Sequence, residues 1–360
     1  MSAQDKENAA AAAAAAPAED TLPWIERYRP RQLSDLVAQE DIVGTLRNLV
    51  AANRLPHLLF YGPPGTGKTS TILCVAREMY GTRLKSMVLE LNASDARGID
   101  VVRNEIQTFA GTQKLFTSGT KLVILDECDN MTKDAQMALR RVIEKYSSNA
   151  RFCLICNYAS KLIPALQSRC TRFRFAPLKQ HLVVGRVREI LAAEQVELSE
   201  GGLQAVLRLG KGDMRKILNI LQSTSLAVGK RVDEAAVYRC TGMPTPQDIA
   251  QVRDALLNLP VAECFRKVRQ LQVREGLALL DVVHALFDAL AAVKLPPQAR
   301  TLLLRHLSET EYNLASGTSE ALQLGGVVGA FFLVRELLGK GAALAASKGA
   351  TTRSDAMEIE

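Results

Sequence analysis

Apolar sequence is scarce where a membrane or an export signal would need it. The most apolar stretch of the 360-residue chain, Gly276 to Val293, is broken by Asp281, His284 and Asp288, which argues against a bilayer span there. The N-terminus carries an alanine run, Ala9 to Ala16, in place of an apolar signal core, so neither export nor a membrane partner is expected. The seven cysteines, at 74, 128, 153, 156, 170, 240 and 264, are an odd number and lack zinc-ribbon spacing. That argues against a disulfide framework and fits free thiols in a reducing compartment. The pair Cys153-x-x-Cys156 falls in an apparent strand, where alternation sends the two sulfurs to opposite faces and argues against a shared metal or redox site. Internal repeats are lacking as well.

What is present is the composition of an ordinary soluble globular protein, 48% apolar and 23% charged, with length for two or three domains. The net charge is +7. The first and last twenty residues are both net acidic, so the middle of the chain is more basic than the total. A basic core suggests a polyanionic partner, most often nucleic acid. Residues 140–175 are the extreme case, with eight basic side chains and one acid, Glu144.

Residues 62–69 read Gly62-Pro63-Pro64-Gly65-Thr66-Gly67-Lys68-Thr69, a complete G-x-x-x-x-G-K-[ST] phosphate loop. An apolar run, Leu58 to Tyr61, precedes it as a predicted strand, and Ser70 to Met79 follows as a predicted helix. In that context successive backbone N–H groups and the helix N-terminus converge on phosphate oxygens. Lys68 reaches the β- and γ-phosphates as a point charge, and the Thr69 hydroxyl is placed to ligate Mg²⁺. Residues 62–69, with Ser70 behind them, are the expected site for the phosphates of a nucleotide.

Strands are predicted at Leu58–Tyr61, Met87–Leu91, Lys121–Leu125, Phe152–Cys156 and Thr171–Phe175, with helical patterns between. That alternation implies a parallel five-stranded sheet covered on both faces. In the last strand Phe173 and Phe175 share one face and Arg172 and Arg174 the other, which suits an edge. After Leu178 the strand signal stops. Residues 179–243 read as a small helical domain with helices near 182–194, 203–208 and 213–228. Residues 244–340 read as a second, all-α domain, with Leu280, Val283, Phe287 and Leu290 at one-face spacing. The tails, 1–20 and 341–360, read as disordered.

The strand Lys121–Leu125 ends in Asp126-Glu127. A carboxylate at the C-terminal end of such a strand lies beside the phosphate loop. Asp126 suits the Mg²⁺ shell together with Thr69, and Glu127 suits activation of the attacking water as general base. Three polar residues are further candidates: Asn157 at the end of the next strand, Arg169 before the fifth strand, and Arg215 opening a helix of the small domain. Taken alone, each is also compatible with an ordinary surface or packing role.

Together these residues resemble an AAA+ ATPase, and in particular the small subunits of the sliding-clamp loader, replication factor C. Trp24-Ile-Glu-Arg-Tyr-Arg-Pro30 resembles that family's W-V-E-K-Y-R-P box. Residues 62–69 and Asp126-Glu127 resemble its Walker A and B elements. Leu91-Asn-Ala-Ser-Asp95, Ser168-Arg-Cys170 and Gly212-Asp-Met-Arg215 resemble its further motifs, and Asn157 falls at its first sensor. The stretches Cys240-Thr-Gly242 and Thr310–Gly317 narrow the likeness to one of the small subunits. Departures are mild: Cys128 replaces the alanine of the usual D-E-A-D, and Ile25 and Arg27 replace Val and Lys.

The resemblance implies an α/β P-loop AAA+ domain (21–178), a helical lid (179–243) and a helical collar (244–340). It implies an ATPase active within a hetero-pentamer of five subunits that opens the sliding clamp (PCNA). The clamp is then loaded on primer–template DNA in replication and repair, which implies the nucleus. Ile25 and Val37 would line the adenine pocket, Arg215 would reach the γ-phosphate from the lid, and Arg169 would act in trans on a neighbour's ATP. Arg97, Arg103 and Lys133 would touch the DNA backbone, although solvent or an intersubunit pair would equally suit them. Two other readings stay open, a nucleotide-binding scaffold without essential hydrolysis and another AAA+ DNA-remodelling motor.

Overall fold

The computed structural model describes residues 22–354 apart from 37–38, 53, 94–98, 113–118, 292 and 294. The chain divides into two compact units, one ending at Val237 and one beginning at Tyr238.

The first unit opens with a short helix α1 (Trp24–Arg27) and α2 (Glu40–Ala51). Strands β1 (Leu58–Tyr61), β2 (Val88–Asn92), β3 (Lys121–Asp126), β4 (Ala150–Cys156) and β5 (Thr171–Arg174) then alternate with helices. These are α3 (Lys68–Tyr80), α4 (Ile99–Gly111), α5 (Lys133–Tyr146) and the short α6 (Pro164–Gln167). All strand pairs are parallel, in the order β2-β3-β4-β1-β5.

The period-two alternation of buried side chains divides the core in two. Leu58, Phe60, Leu122, Ile124, Cys153 and Ile155 pack on one face with Ile72, Val75 and Ala76 of α3. Leu59, Val123, Leu125, Phe152, Leu154 and Cys156 pack on the other, with Ile106 of α4 and Leu139, Val142 and Ile143 of α5. Cys153 and Cys156 therefore lie on opposite faces, and both are free thiols. Burial pushes the Cys156 thiol up to about 12, which leaves it protonated and inert. The fifth strand is an edge with Arg172 and Arg174 exposed, as its alternation predicts.

Beyond β5 the unit adds α7 (Gln180–Glu194), α8 (Glu200–Gly210) and α9 (Met214–Val228). It also contains a parallel pair of two-residue strands, β6 (Glu197–Leu198) and β7 (Arg231–Val232), too short to leave an alternation signal in the sequence.

The second unit is helical: α10 (Pro246–Asn258), α11 (Val261–Glu275), α12 (Leu279–Ala291), α13 (Pro297–Ala315) and α14 (Glu320–Ser354). Its core gathers Val252, Leu256, Val268, Val283, Leu286, Leu303, Val327 and Phe331. On α12 the buried side is Leu279, Val282, Val283, Leu286 and Leu290, whereas Phe287 is exposed. Residues 320–339, rather than 276–293, form the helix whose length and composition would suit a membrane span. Yet Leu324, Val327, Val328, Phe331 and Val334 of that helix belong to the core of the unit. The same helix continues to Ser354, past Gly341, where the sequence is expected to lose order. The alanine-rich stretch 342–346 has the highest helix propensity available, which suits continuation.

Candidate nucleotide site

The site is built where β1 and β3 end. The phosphate loop leaves β1 with three glycines, Gly62, Gly65 and Gly67, in conformations that side chains avoid, and at the first two a side chain would also collide. Gly62 has φ 145°, and a Cβ there would stand 2.1 Å from the carbonyl oxygen of Phe175. Gly65 has φ 67°, and a Cβ would stand 1.7 Å from Asp213 Oδ1. The first glycine is thus required by the end of the sheet and the second by the start of α9.

Behind the loop, α3 begins at Lys68. Lys68 is 7% exposed, and its Nζ donates to Gly62 O at 2.7 Å, Pro63 O at 2.8 Å and Asn157 Oδ1 at 3.1 Å. Burial holds its pKa below the usual lysine range; the Asp126 carboxylate opposes that shift and the Arg215 cation adds to it. Thr69 Oγ1 donates to Asp126 Oδ2 at 2.7 Å, so the two expected metal ligands are side by side.

Glu127 follows Asp126 with φ 55°, a left-handed conformation that costs a non-glycine residue about 1 kcal/mol. The turn takes Glu127 out of the strand. Its N–H donates to Asp126 Oδ1 at 2.8 Å, and its Oε2 accepts from Asn130 Nδ2 at 3.3 Å. Cys128, the departure from the family pattern, is buried, and its Sγ donates to Leu125 O at 3.1 Å.

A cleft opens beside the loop. Ile25, Leu36, Leu178, Met214 and Leu218 give it an apolar wall, and Gly65, Thr66, Gly67, Thr69, Ser70 and Arg215 give it a polar floor. Arg215 lies in the first turn of α9, whose N-cap Asp213 accepts from Arg215 N at 2.9 Å and Lys216 N at 3.2 Å. Met214 N–H donates to Gly65 O at 3.3 Å, so this helix is docked on the loop itself. The Trp24–Pro30 box is fastened to α9 and to α7. Trp24 N–H donates to Gln222 Oε1 at 3.1 Å, and Arg27 and Tyr28 both reach Glu194 Oε1, at 2.6 and 2.5 Å.

The structure therefore brings together Ile25, residues 62–70, Asp126, Glu127, Asn157 and Arg215. Arg169 does not line the cleft; it pairs with Glu144. Lys133 is exposed at the first position of α5. Val37 and Arg97 lie outside the described residues, as does the side chain of Arg103. The lining residues Leu36, Leu178 and Leu218, and the Glu127 partner Asn130, carry no motif and are missed by sequence reasoning; Met214 falls inside the Gly212–Arg215 stretch, which gives no sign that its side chain lines the cleft. Only Asp213, an acid directly before a helical pattern, left a capping signal.

The AAA family of ATPases associated with various cellular activities matches residues 58–178, and the replication factor C C-terminal domain matches residues 244–330. Replication factor C subunit 5 of Mus musculus is 52% identical over 318 residues, 88% of this chain and 94% of that one. Replication factor C subunit 5 of Arabidopsis thaliana is 50% identical over 331 residues, 89% and 90% of the two chains. The replication factor C subunit of Schizosaccharomyces pombe that is 47% identical over 310 residues is numbered 3. Among solved structures, the Thermotoga maritima RuvB Holliday junction branch migration motor covers 70% of this chain and 86% of its own at 15% identity and a TM-score of 0.48, too loose a likeness to bear on function.

Proposed function

The chain belongs to the replication factor C subunits, clamp-loader ATPases with an AAA domain, and from that premise we propose how its residues divide the work. The observation that carries the reading is the Thr69–Asp126 contact at 2.7 Å beside a buried Lys68 bonded to Asn157. A phosphate chain fits the loop, because Gly62 and Gly65 leave no room for side chains and its lysine is pre-placed. Mg²⁺ fits the Thr69–Asp126 oxygen pair, a hard donor set, and when bound would neutralise charge on the phosphate oxygens.

The adenine lies against Ile25, Leu36 and Met214, with Val37 close in sequence. Residues 62–70 and Lys68 Nζ hold the phosphates. Glu127 accepts the proton of the attacking water, Asn157 orients that water, and Arg215 reads the γ-phosphate from α9. Arg169 serves the ATP of a neighbouring subunit.

At the level of the assembly, residues 179–243 act as the lid and 244–340 as the collar of a hetero-pentamer in the nucleus. Its partners are four other loader subunits, the sliding clamp PCNA and primer–template DNA, with Arg97, Arg103 and Lys133 on the DNA backbone. Native mass spectrometry of the complex purified through this chain from its own cells tests this. One copy beside four distinct subunits supports the reading. A homohexamer, or a monomer without such partners, refutes it.

A further inference from the structure

The single acid in the basic stretch 140–175 has a specific use. Glu144, on α5, accepts through one oxygen, Oε1, from Arg140 Nε at 3.2 Å and from Arg169 Nη2. Arg169 is held at a second point as well, where Nη1 donates to Ala165 O of α6 at 2.7 Å. Both terminal nitrogens of this guanidinium are thus fixed, each by a different helix. Arg140 and Arg169 together outweigh Glu144, so the cluster stays cationic. The Glu144 carboxyl is held below its ordinary range, first by the hydrogen bond from Arg140 and then by the two nearby cations, and so is ionised at neutral pH.

Folding does not account for this arrangement. The side chains of Arg169, Glu144 and Arg140 are 32%, 42% and 37% exposed, and ion pairs that wet contribute little to stability. What a two-point hold does achieve is to restrict a long, rotamer-rich side chain before it meets an anion. Neither Arg169 nor Glu144 lines the nucleotide cleft of this chain, so that anion lies elsewhere.

We propose that Glu144 is the positioning residue of Arg169, aiming its guanidinium at the γ-phosphate bound by the adjacent subunit. The inference rests on the trans reading of Arg169 given above. It makes α5 and α6 a two-sided mount for one side chain. It also explains why a carboxylate stands alone among eight cations.

The test uses the assembled pentamer with hydrolysis confined to the site that Arg169 faces, the phosphate loops of the other sites being disabled. Glu144→Ala is expected to lower kcat there about 10- to 100-fold, the penalty of a misplaced but present catalytic group. KM for ATP should stay within about twofold, since ground-state binding is untouched. Glu144→Gln, which keeps an acceptor oxygen, should recover part of the loss. Arg169→Ala should lower kcat by about 10³–10⁵, and adding Glu144→Ala to it should cost nothing more. An undiminished kcat in Glu144→Ala beside a lost one in Arg169→Ala overturns the role of Glu144 and leaves the trans reading standing. Additive losses in the double variant overturn it too, because Glu144 would then act through something other than Arg169. An undiminished kcat in Arg169→Ala overturns the trans reading and this proposal together.

Discussion

The two units use buried polar side chains in opposite ways. In the first, Lys68 and Thr69 are buried at the nucleotide site, and Lys121 is buried where its ammonium meets the carbonyls at the end of α4. Asp129 Oδ1 is the exception, a buried oxygen without a partner among the described residues. In the second unit, Gln272 is 4% exposed and neither atom of its amide finds a partner among the described residues. Tyr312, Leu322 and Leu333 of that unit face solvent instead. A parallel sheet explains the contrast. It delivers the ends of all its strands to one edge, where chemistry can collect. A helical unit without a sheet has no such edge and offers only the sides of its helices.

The contrast is sharpest at Glu127. If hydrolysis resides at the sheet edge, Glu127→Gln removes the proton acceptor while keeping the shape. Turnover by the assembled complex at this site should fall about 10²–10⁴-fold, with ATP affinity nearly unchanged. A matched neutralisation in the second unit, Glu311→Gln, removes the charge from the exposed contact with His284 Nε2 at 2.9 Å and should leave turnover unaltered. Single-turnover hydrolysis with nucleotide-binding titrations separates the two. Equal losses from both variants would erase the distinction between the units.

The opposite end of the same strand gives a prediction about stability. Lys121 starts β3 and is 7% exposed. Its Nζ donates to Phe109 O at 2.6 Å and to Thr112 O, and it lies 4.8 Å from the centre of the Phe109 ring. A cation at a helix C-terminus satisfies carbonyls that the helix leaves open. Lys121→Met keeps the apolar stem and deletes the cap, which should destabilise the first unit by about 2–3 kcal/mol. Hydrogen exchange should show the loss in α4 and β3 and spare α10–α14.

Much of this was legible before any coordinates. The first four strands announce themselves as short, largely apolar runs followed by a turn or helix signal, the fifth by its Phe/Arg alternation, and the phosphate loop because its chemistry fixes residue type at every position that matters. Asp126, Glu127 and Asn157 follow from knowing that strand ends share an edge. The apolar wall was not legible, since Leu36, Leu178 and the Met214–Leu218 turn of α9 come from three separate segments and look like any core leucine or methionine. Lys121 reads as the first residue of a strand, and nothing local says that its partners lie across the sheet face. Gly65 reads as a phosphate-loop glycine, whereas the clash that enforces it comes from Asp213. Leu280 and Phe287 fit a helical stripe drawn from sequence, yet the buried stripe runs through Val282 and Leu286, one face over.

The smallest predicted effect concerns Gln272, and it carries the opposite sign. Its backbone carbonyl is used, accepting from Leu277 N at 3.0 Å, and Cys264, Val268 and Leu271 on the same helix are all buried. The side-chain amide therefore sits in an apolar setting with no partner among the described residues. Such a group costs about 1–3 kcal/mol relative to an apolar residue of similar shape. Gln272→Leu should stabilise the second unit by about 1 kcal/mol once imperfect repacking is allowed for. The expected readout is slower exchange of α11 and α14 amides and a higher midpoint for that unit, with ATP turnover unchanged. A fall in stability would mean that the amide is satisfied in solution by a buried water, and that the second unit hides a polar group as well matched as Lys121 is in the first.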